Sequence, residues 1–272
     1  STVVLTYRVY SREMSVRTNW VEESFALING APTFLTIADD IVESRPHDVL
    51  VELPPDWAQS VTALQAAPDG RPNSYRAADL DELIDSPIVA GNPAVYEFTV
   101  AGVPHSLVNI GEGELWDGQR AKDDVERIVR EHYELWGFFP YEHYLFLNMI
   151  TEARGGLEHR ASSLLMTSRW QMRARKKYLD WLTLVSHELF HAWNVKRLRP
   201  VELGPFDYER EVHTRSLWVA EGLTAYYGAL LVHRAGLSTT DEYLSELSSE
   251  IRALQTTPGR LVQSVEQASY DA

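Results

Sequence analysis

Ser186-His187-Glu188-Leu189-Phe190-His191-Ala192-Trp193 places two histidines four residues apart, with a glutamate directly after the first. The preceding segment, Tyr178 to Val185, has neither Pro nor Gly, and its apolar residues at 178, 181, 182, 185 and 189 follow helical spacing. On a helix, positions four apart share a face, with Cβ atoms roughly 5–6 Å apart. His187 and His191 are thus expected to reach one metal ion together, each Zn–N bond about 2.0–2.1 Å. Glu188 would lie beside the ion as a general base without ligating it. The competing reading is a pair of core histidines satisfied by neighbouring carbonyls.

A catalytic zinc ion takes three protein ligands and keeps one open position. The third is expected from Leu217-Trp218-Val219-Ala220-Glu221-Gly222-Leu223-Thr224-Ala225-Tyr226-Tyr227, read as part of a helix from about 214 to 235 with Gly236 as its stop. Glu221 is the lone carboxylate between 216 and 232. Apolar residues all round suggest a buried helix, and a buried carboxylate needs a partner or a metal. This gives a one-zinc site of His187, His191 and Glu221.

Four strings resemble the glycyl aminopeptidase family of zinc metallopeptidases. They are His187-Glu188-Leu189-Phe190-His191-Ala192-Trp193-Asn194-Val195-Lys196-Arg197-Leu198-Arg199-Pro200, the Glu221 segment, Gly155-Gly156-Leu157-Glu158-His159, and Leu83-Ile84-Asp85-Ser86-Pro87-Ile88. The resemblance implies a gluzincin of α+β class: an N-terminal β-rich domain, then a thermolysin-like, mostly helical catalytic domain with a small sheet. It also implies a PDZ domain further on, which this sequence does not contain, so the chain reads as a fragment. Gly155, Gly156 and Glu158 are similar to the aminopeptidase N motif whose Glu holds the substrate's free α-amine. A strand there would let an extended peptide pair along its edge. The same comparison implies an oxyanion-binding Tyr beyond Ala272, so this piece is expected to hold zinc yet turn over substrate weakly. The implied activity is an aminopeptidase preferring N-terminal Gly or small residues. Endopeptidase activity of the same zinc chemistry, or a metal-binding interaction fragment, are the alternatives.

Composition narrows the rest. The 272 residues carry a net charge of −14, which argues against nucleic acid as a partner; the resemblance implies a peptide as substrate. Cysteine is absent, which removes disulfides and thiolate ligands without fixing the compartment. No apolar run is long enough to span a membrane. Oligomeric state is not legible.

Short β-rich runs are expected at Val3 to Val9, Phe34 to Ile37, Val49 to Leu53 and Val95 to Val100. A helix is expected over Lys122 to Trp136, strands over His143 to Ile150 and Ser162 to Thr167, and a helix over Thr239 to Gln255 opened by a Thr239/Glu242 capping box. Three glycines between Gly111 and Gly118 suggest a border, with domains at 1–112 and 113–272. Among the remaining histidines, His213 is the expected site neighbour.

Overall fold

The computed structural model describes residues 2–37 and 45–272. Its first part holds short strands β1 (Trp20–Val21), β2 (Phe25–Ile28), β3 (His47–Leu50), β4 (Gln59–Val61), β5 (Gln65–Ala66) and β6 (Ser74–Ala77). A one-turn helix α1 (Leu80–Ile84) and β7 (Ile88–Gly91) follow. They form an antiparallel sheet of order β1-β2-β7-β4 and a second of order β3-β6-β5. The runs Val3 to Val9 and Phe34 to Ile37, expected as strands, are irregular. Alternation does not make a strand without a partner. Val3 and Val4 are about 80% exposed, and no ladder includes either run.

The centre of the molecule is a five-stranded sheet of order β11-β12-β10-β9-β8. Its strands are β8 (Ala94–Val100), β9 (Val103–Ile110), β10 (Tyr144–Thr151), β11 (Gly155–Glu158) and β12 (Ser162–Ser168). β9, β10 and β12 are parallel, and β8 and β11 are antiparallel edges. Helix α2 (Gly118–Trp136) makes the crossover from β9 to β10 that a parallel pair requires. It starts four residues earlier than expected, because the Asp117 side chain accepts from the Arg120 N–H as N-cap. It ends at Gly137, in the left-handed conformation that glycine adopts without strain.

The period of two along β10 explains the layering. Tyr144, Phe146 and Ile150 join a core with α2 and with α3 (Arg175–Phe190). Leu145, Leu147 and Met149 join a second core with Phe25, Leu27 and Val89 of the N-terminal sheet. Each fully buried side chain of this size contributes roughly 1.5–3 kcal/mol. A one-residue slip of β10 would exchange its two faces. β10 therefore fixes both layers. The buried amide in the middle of β10, Asn148, is satisfied: it donates to Asn109 at 2.8 Å and accepts from the Trp181 indole at 3.2 Å.

The border expected near 112 falls differently. β8 and β9 lie before it but belong to the same sheet as β10 and β12. The change of sheet occurs at Gly91-Asn92-Pro93, between β7 and β8. We propose that point as the border.

Beyond the sheet come α4 (Leu217–Arg234), α5 (Thr240–Thr256) and α6 (Val265–Tyr270). Thr239 caps α5, and the Thr239/Glu242 box is reciprocal. Ahead of His187, basic residues are spent on ion pairs: Arg175 with Glu242, Lys176 with Asp180 and Glu246, and Arg169 with Glu152.

Candidate metal and active site

The site forms where α3 ends. Tyr178, Trp181, Leu182, Val185 and Leu189 are buried on the face that helical spacing indicated. They seat α3 on the sheet and turn its last residues toward β11 and α4. His191 is the C-cap and keeps helical dihedrals, so it remains on the same face as His187. Their Nε2 atoms are 3.1 Å apart.

α4 runs beside α3 because Gly228 allows it. A Cβ at Gly228 would sit 3.3 Å from both the N and Cα of His187. Glu221 lies two turns earlier on the same face, with buried Thr224 between. The Glu221 Oε2 is 3.4 Å from His187 Nε2 and 3.6 Å from His191 Nε2. Three ligands of a tetrahedral zinc ion with bonds of 2.0–2.2 Å are separated by roughly 3.4 Å. The triangle of 3.1, 3.4 and 3.6 Å fits that donor set.

The two imidazoles hold the Glu221 carboxyl far below the usual carboxylate range by hydrogen bonding, against the opposing effect of burial. Burial by itself would lower His191. The Glu221 hydrogen bond and the nearby Glu158 charge overcome this and raise it. Glu221 is not buried as its apolar neighbours suggested. Its side chain is 56% exposed, and Trp218, Leu223 and Tyr226 on the same helix are also exposed.

Orientation of His191 comes from the turn that follows it. Its Nδ1–H donates to the Asn194 carbonyl at 2.8 Å, which leaves Nε2 as the lone-pair donor facing the triangle. The Asn194 side chain then donates to the Ala220 carbonyl at 2.9 Å and to Thr224 Oγ1 at 3.1 Å. One residue thus ties the second histidine to the backbone beside Glu221. The sequence signal for it was weak: an Asn three residues after the second His.

Glu188 points to the strand side. It is 4% exposed, and its Oε1 lies where a Cβ at Gly156 would be, 2.0 Å away. The absent side chain at Gly156 is therefore what lets this carboxylate lie against β11. Burial pushes Glu188 up to about 8, reinforced by the Glu158 and Glu221 charges and opposed by His191 and Arg17. Ligand atoms of His187, Glu188 and His191 all lie within 4.8 Å of one another. Of the two carboxylates, Glu221 has the oxygen that faces both Nε2 atoms, while Glu188 lies against Gly156.

Gly155, Gly156 and Glu158 all lie on β11, which among the described residues is an edge strand paired with β12. Glu158 is close enough for its charge to act on both Glu188 and His191. The structure thus brings together all seven residues singled out in the sequence. The described contacts of His213 are with the Tyr270 carbonyl and Glu211, not with the three candidate ligands. His105 and His132 are buried core residues held by backbone carbonyls.

Two family models match. The M61 glycyl aminopeptidase model covers residues 180–272, and the peptidase M61 N-terminal domain model covers 1–92. Together they span more than half of the chain. The N-terminal match stops at the change of sheet before β8. A crystal structure of an aminopeptidase N family protein from Idiomarina loihiensis is similar at 30% identity and a TM-score of 0.90. That alignment covers 96% of this chain and 46% of that one. An M1 zinc metallopeptidase from Deinococcus radiodurans is similar in fold, with 13% identity, a TM-score of 0.55, and coverage of 92% and 55%. The chain therefore spans about half the length of these relatives. A search of curated proteins gave no match. Two models of one family in chain order, with the fold they imply, show that this chain belongs to the M61 glycyl aminopeptidase family of peptidases.

Proposed function

We propose that this chain carries the catalytic centre of a zinc-dependent aminopeptidase. The observation that carries the reading is the triangle of His187, His191 and Glu221, with Glu188 beside it on the substrate-strand side. These three residues would hold one zinc ion, which when bound supplies Lewis acidity to water and carbonyl oxygen. A dication next to Glu188 favours its ionised form despite burial. Glu188 takes the proton of the water that adds to the scissile carbonyl. It then delivers that proton to the departing amine nitrogen.

An aminopeptidase must seat the α-amine within one residue of the scissile carbonyl. Glu158 fits this need: it is at the end of an open strand edge and near enough to Glu188 for their charges to interact. The preference for N-terminal Gly or small residues rests on membership of the family and not on a pocket. Among the described residues no helix is long and apolar enough to cross a membrane.

Zinc stoichiometry and hydrolysis of glycine p-nitroanilide test the reading. The expected result is one zinc per chain, lost in His187→Ala, and activity lost in Glu188→Gln with zinc retained. Absence of divalent metal binding, or full activity in Glu188→Gln, would refute it. Efficient cleavage of N-acetylated peptides would favour the endopeptidase alternative. Zinc binding without turnover would favour the interaction fragment.

A further inference from the structure

Three of the four sequence motifs meet at one carboxylate that none of the assigned roles uses. Asp85 follows the last turn of α1 as its C-cap. Its Oδ1 accepts from Lys196 Nζ at 2.9 Å and from His159 Nδ1 at 3.2 Å, and its Oδ2 accepts from the Arg160 backbone N–H at 2.6 Å. The donors come from two places. His159 and Arg160 form the tip of the β11–β12 hairpin, immediately after Glu158. Lys196 lies in the turn after α3, where its own N–H donates to the His191 carbonyl at 2.9 Å.

The hairpin tip needs such an anchor. β11 has a strand on one side only, from Gly155↔Met166 to Glu158↔Ser163. The His159 ring is buried, and among the described residues its Nε2 has no hydrogen-bond partner, so the Asp85 contact is the polar hold they give that ring. Burial alone would raise the Asp85 carboxyl; the His159 bond and the Lys196 charge reverse this and keep it ionised, at about 2.

We propose that Asp85 is a positioning residue. By holding the hairpin tip and the turn after α3 on one carboxylate, it fixes Glu158 relative to Glu188 and so sets where a substrate's α-amine is received. The proposal rests on the reading of Glu158 as the amine acceptor. Sub-ångström placement matters here because a misplacement of about 1 Å can cost about a hundredfold in rate.

Asp85→Asn keeps the shape and removes the charge. In the zinc-loaded protein it is expected to raise KM for glycine p-nitroanilide about tenfold, with kcat within about threefold. Asp85→Glu restores part of the loss. Amide hydrogen exchange over 155–160 is expected to accelerate at least about tenfold, while α3 protection and zinc content stay as in the parent. Asp48→Asn, which removes the remote Arg76 pair, changes none of these. Parent-like exchange over 155–160 overturns the anchor. Loosened exchange with an unchanged KM overturns its link to amine placement. Exchange that rises equally in α3 overturns it in favour of a general loss of stability. A parent protein that hydrolyses no free-amine substrate refutes the functional reading and the amine-placing part with it, while the exchange result still decides whether Asp85 anchors the hairpin.

Discussion

Gly156→Ala tests the placement of Glu188, the proposed general base, most directly. The added Cβ would fall 2.0 Å from Glu188 Oε1, 2.5 Å from Cδ and 2.7 Å from Cγ. Ordinary contact for such atoms needs roughly 3.4 Å or more. The carboxylate must therefore retreat by about 1 Å, and the conflict with Cγ means that rotating the terminal group is not enough. A displacement of that size in a reacting group costs about a hundredfold, equivalent to about 2.7 kcal/mol in the barrier. The three proposed ligands, His187, His191 and Glu221, are untouched, so zinc stoichiometry is expected to hold. Tm is expected to fall modestly, because crowding a buried carboxylate costs about 1–3 kcal/mol and the reduced freedom of the unfolded chain offsets only about 0.4–1 kcal/mol of it. The assay compares kcat for glycine p-nitroanilide, zinc content and Tm between parent and variant. A kcat within about threefold of the parent would refute the reasoning, since Glu188 would then work from a different position. Loss of zinc together with kcat would also refute it, because the two functions would not be separable at β11.

Asn194→Ala removes the amide bonds to Ala220 and Thr224 that tie the His191 turn to α4. Zinc affinity, measured by competition with a chelator, is expected to fall about 10–100-fold. Glu158→Ala is expected to raise KM or lower kcat on free-amine substrates and to spare N-blocked ones; equal loss on both would remove Glu158 from amine recognition. The Asp85 carboxyl, pulled down to about 2 from an ordinary 3.8, contributes stability that is fully present above pH 4 and lost as pH falls through 2. That contribution is about 2 kcal/mol. Urea midpoints between pH 4 and 2 should therefore fall less steeply in Asp85→Asn than in the parent.

Local periodicity carried the elements that pack on a continuous face. The α3 pattern at 178, 181, 182, 185 and 189 is buried as spacing required, and the Thr239 box opens α5 as its chemistry required. Strands failed where a partner decides the matter. Val3 to Val9 alternates as a strand does but has no ladder, while β11 is only four residues long and exists because β12 pairs with it. The border we propose differs from the one expected near 112 for the same reason: glycines mark a loop, and only hydrogen bonding shows that β8 and β9 enter the later sheet. Burial of Glu221 was overestimated because apolar composition cannot tell which faces of a helix are covered.

The sequence by itself supplied the candidate donor set that the proposed metal site uses. The spacing of His187 and His191 on a helix leaves little freedom, because four residues set their common face. It also supplied the family, through four motifs in order. Tertiary structure decided how those motifs act on one another. It closed the triangle through the approach of α4 at Gly228, laid Glu188 on Gly156, and gathered His159, Arg160 and Lys196 on Asp85 across more than 70 residues of chain. Contacts at that separation depend on the packing of whole layers, which no local pattern encodes.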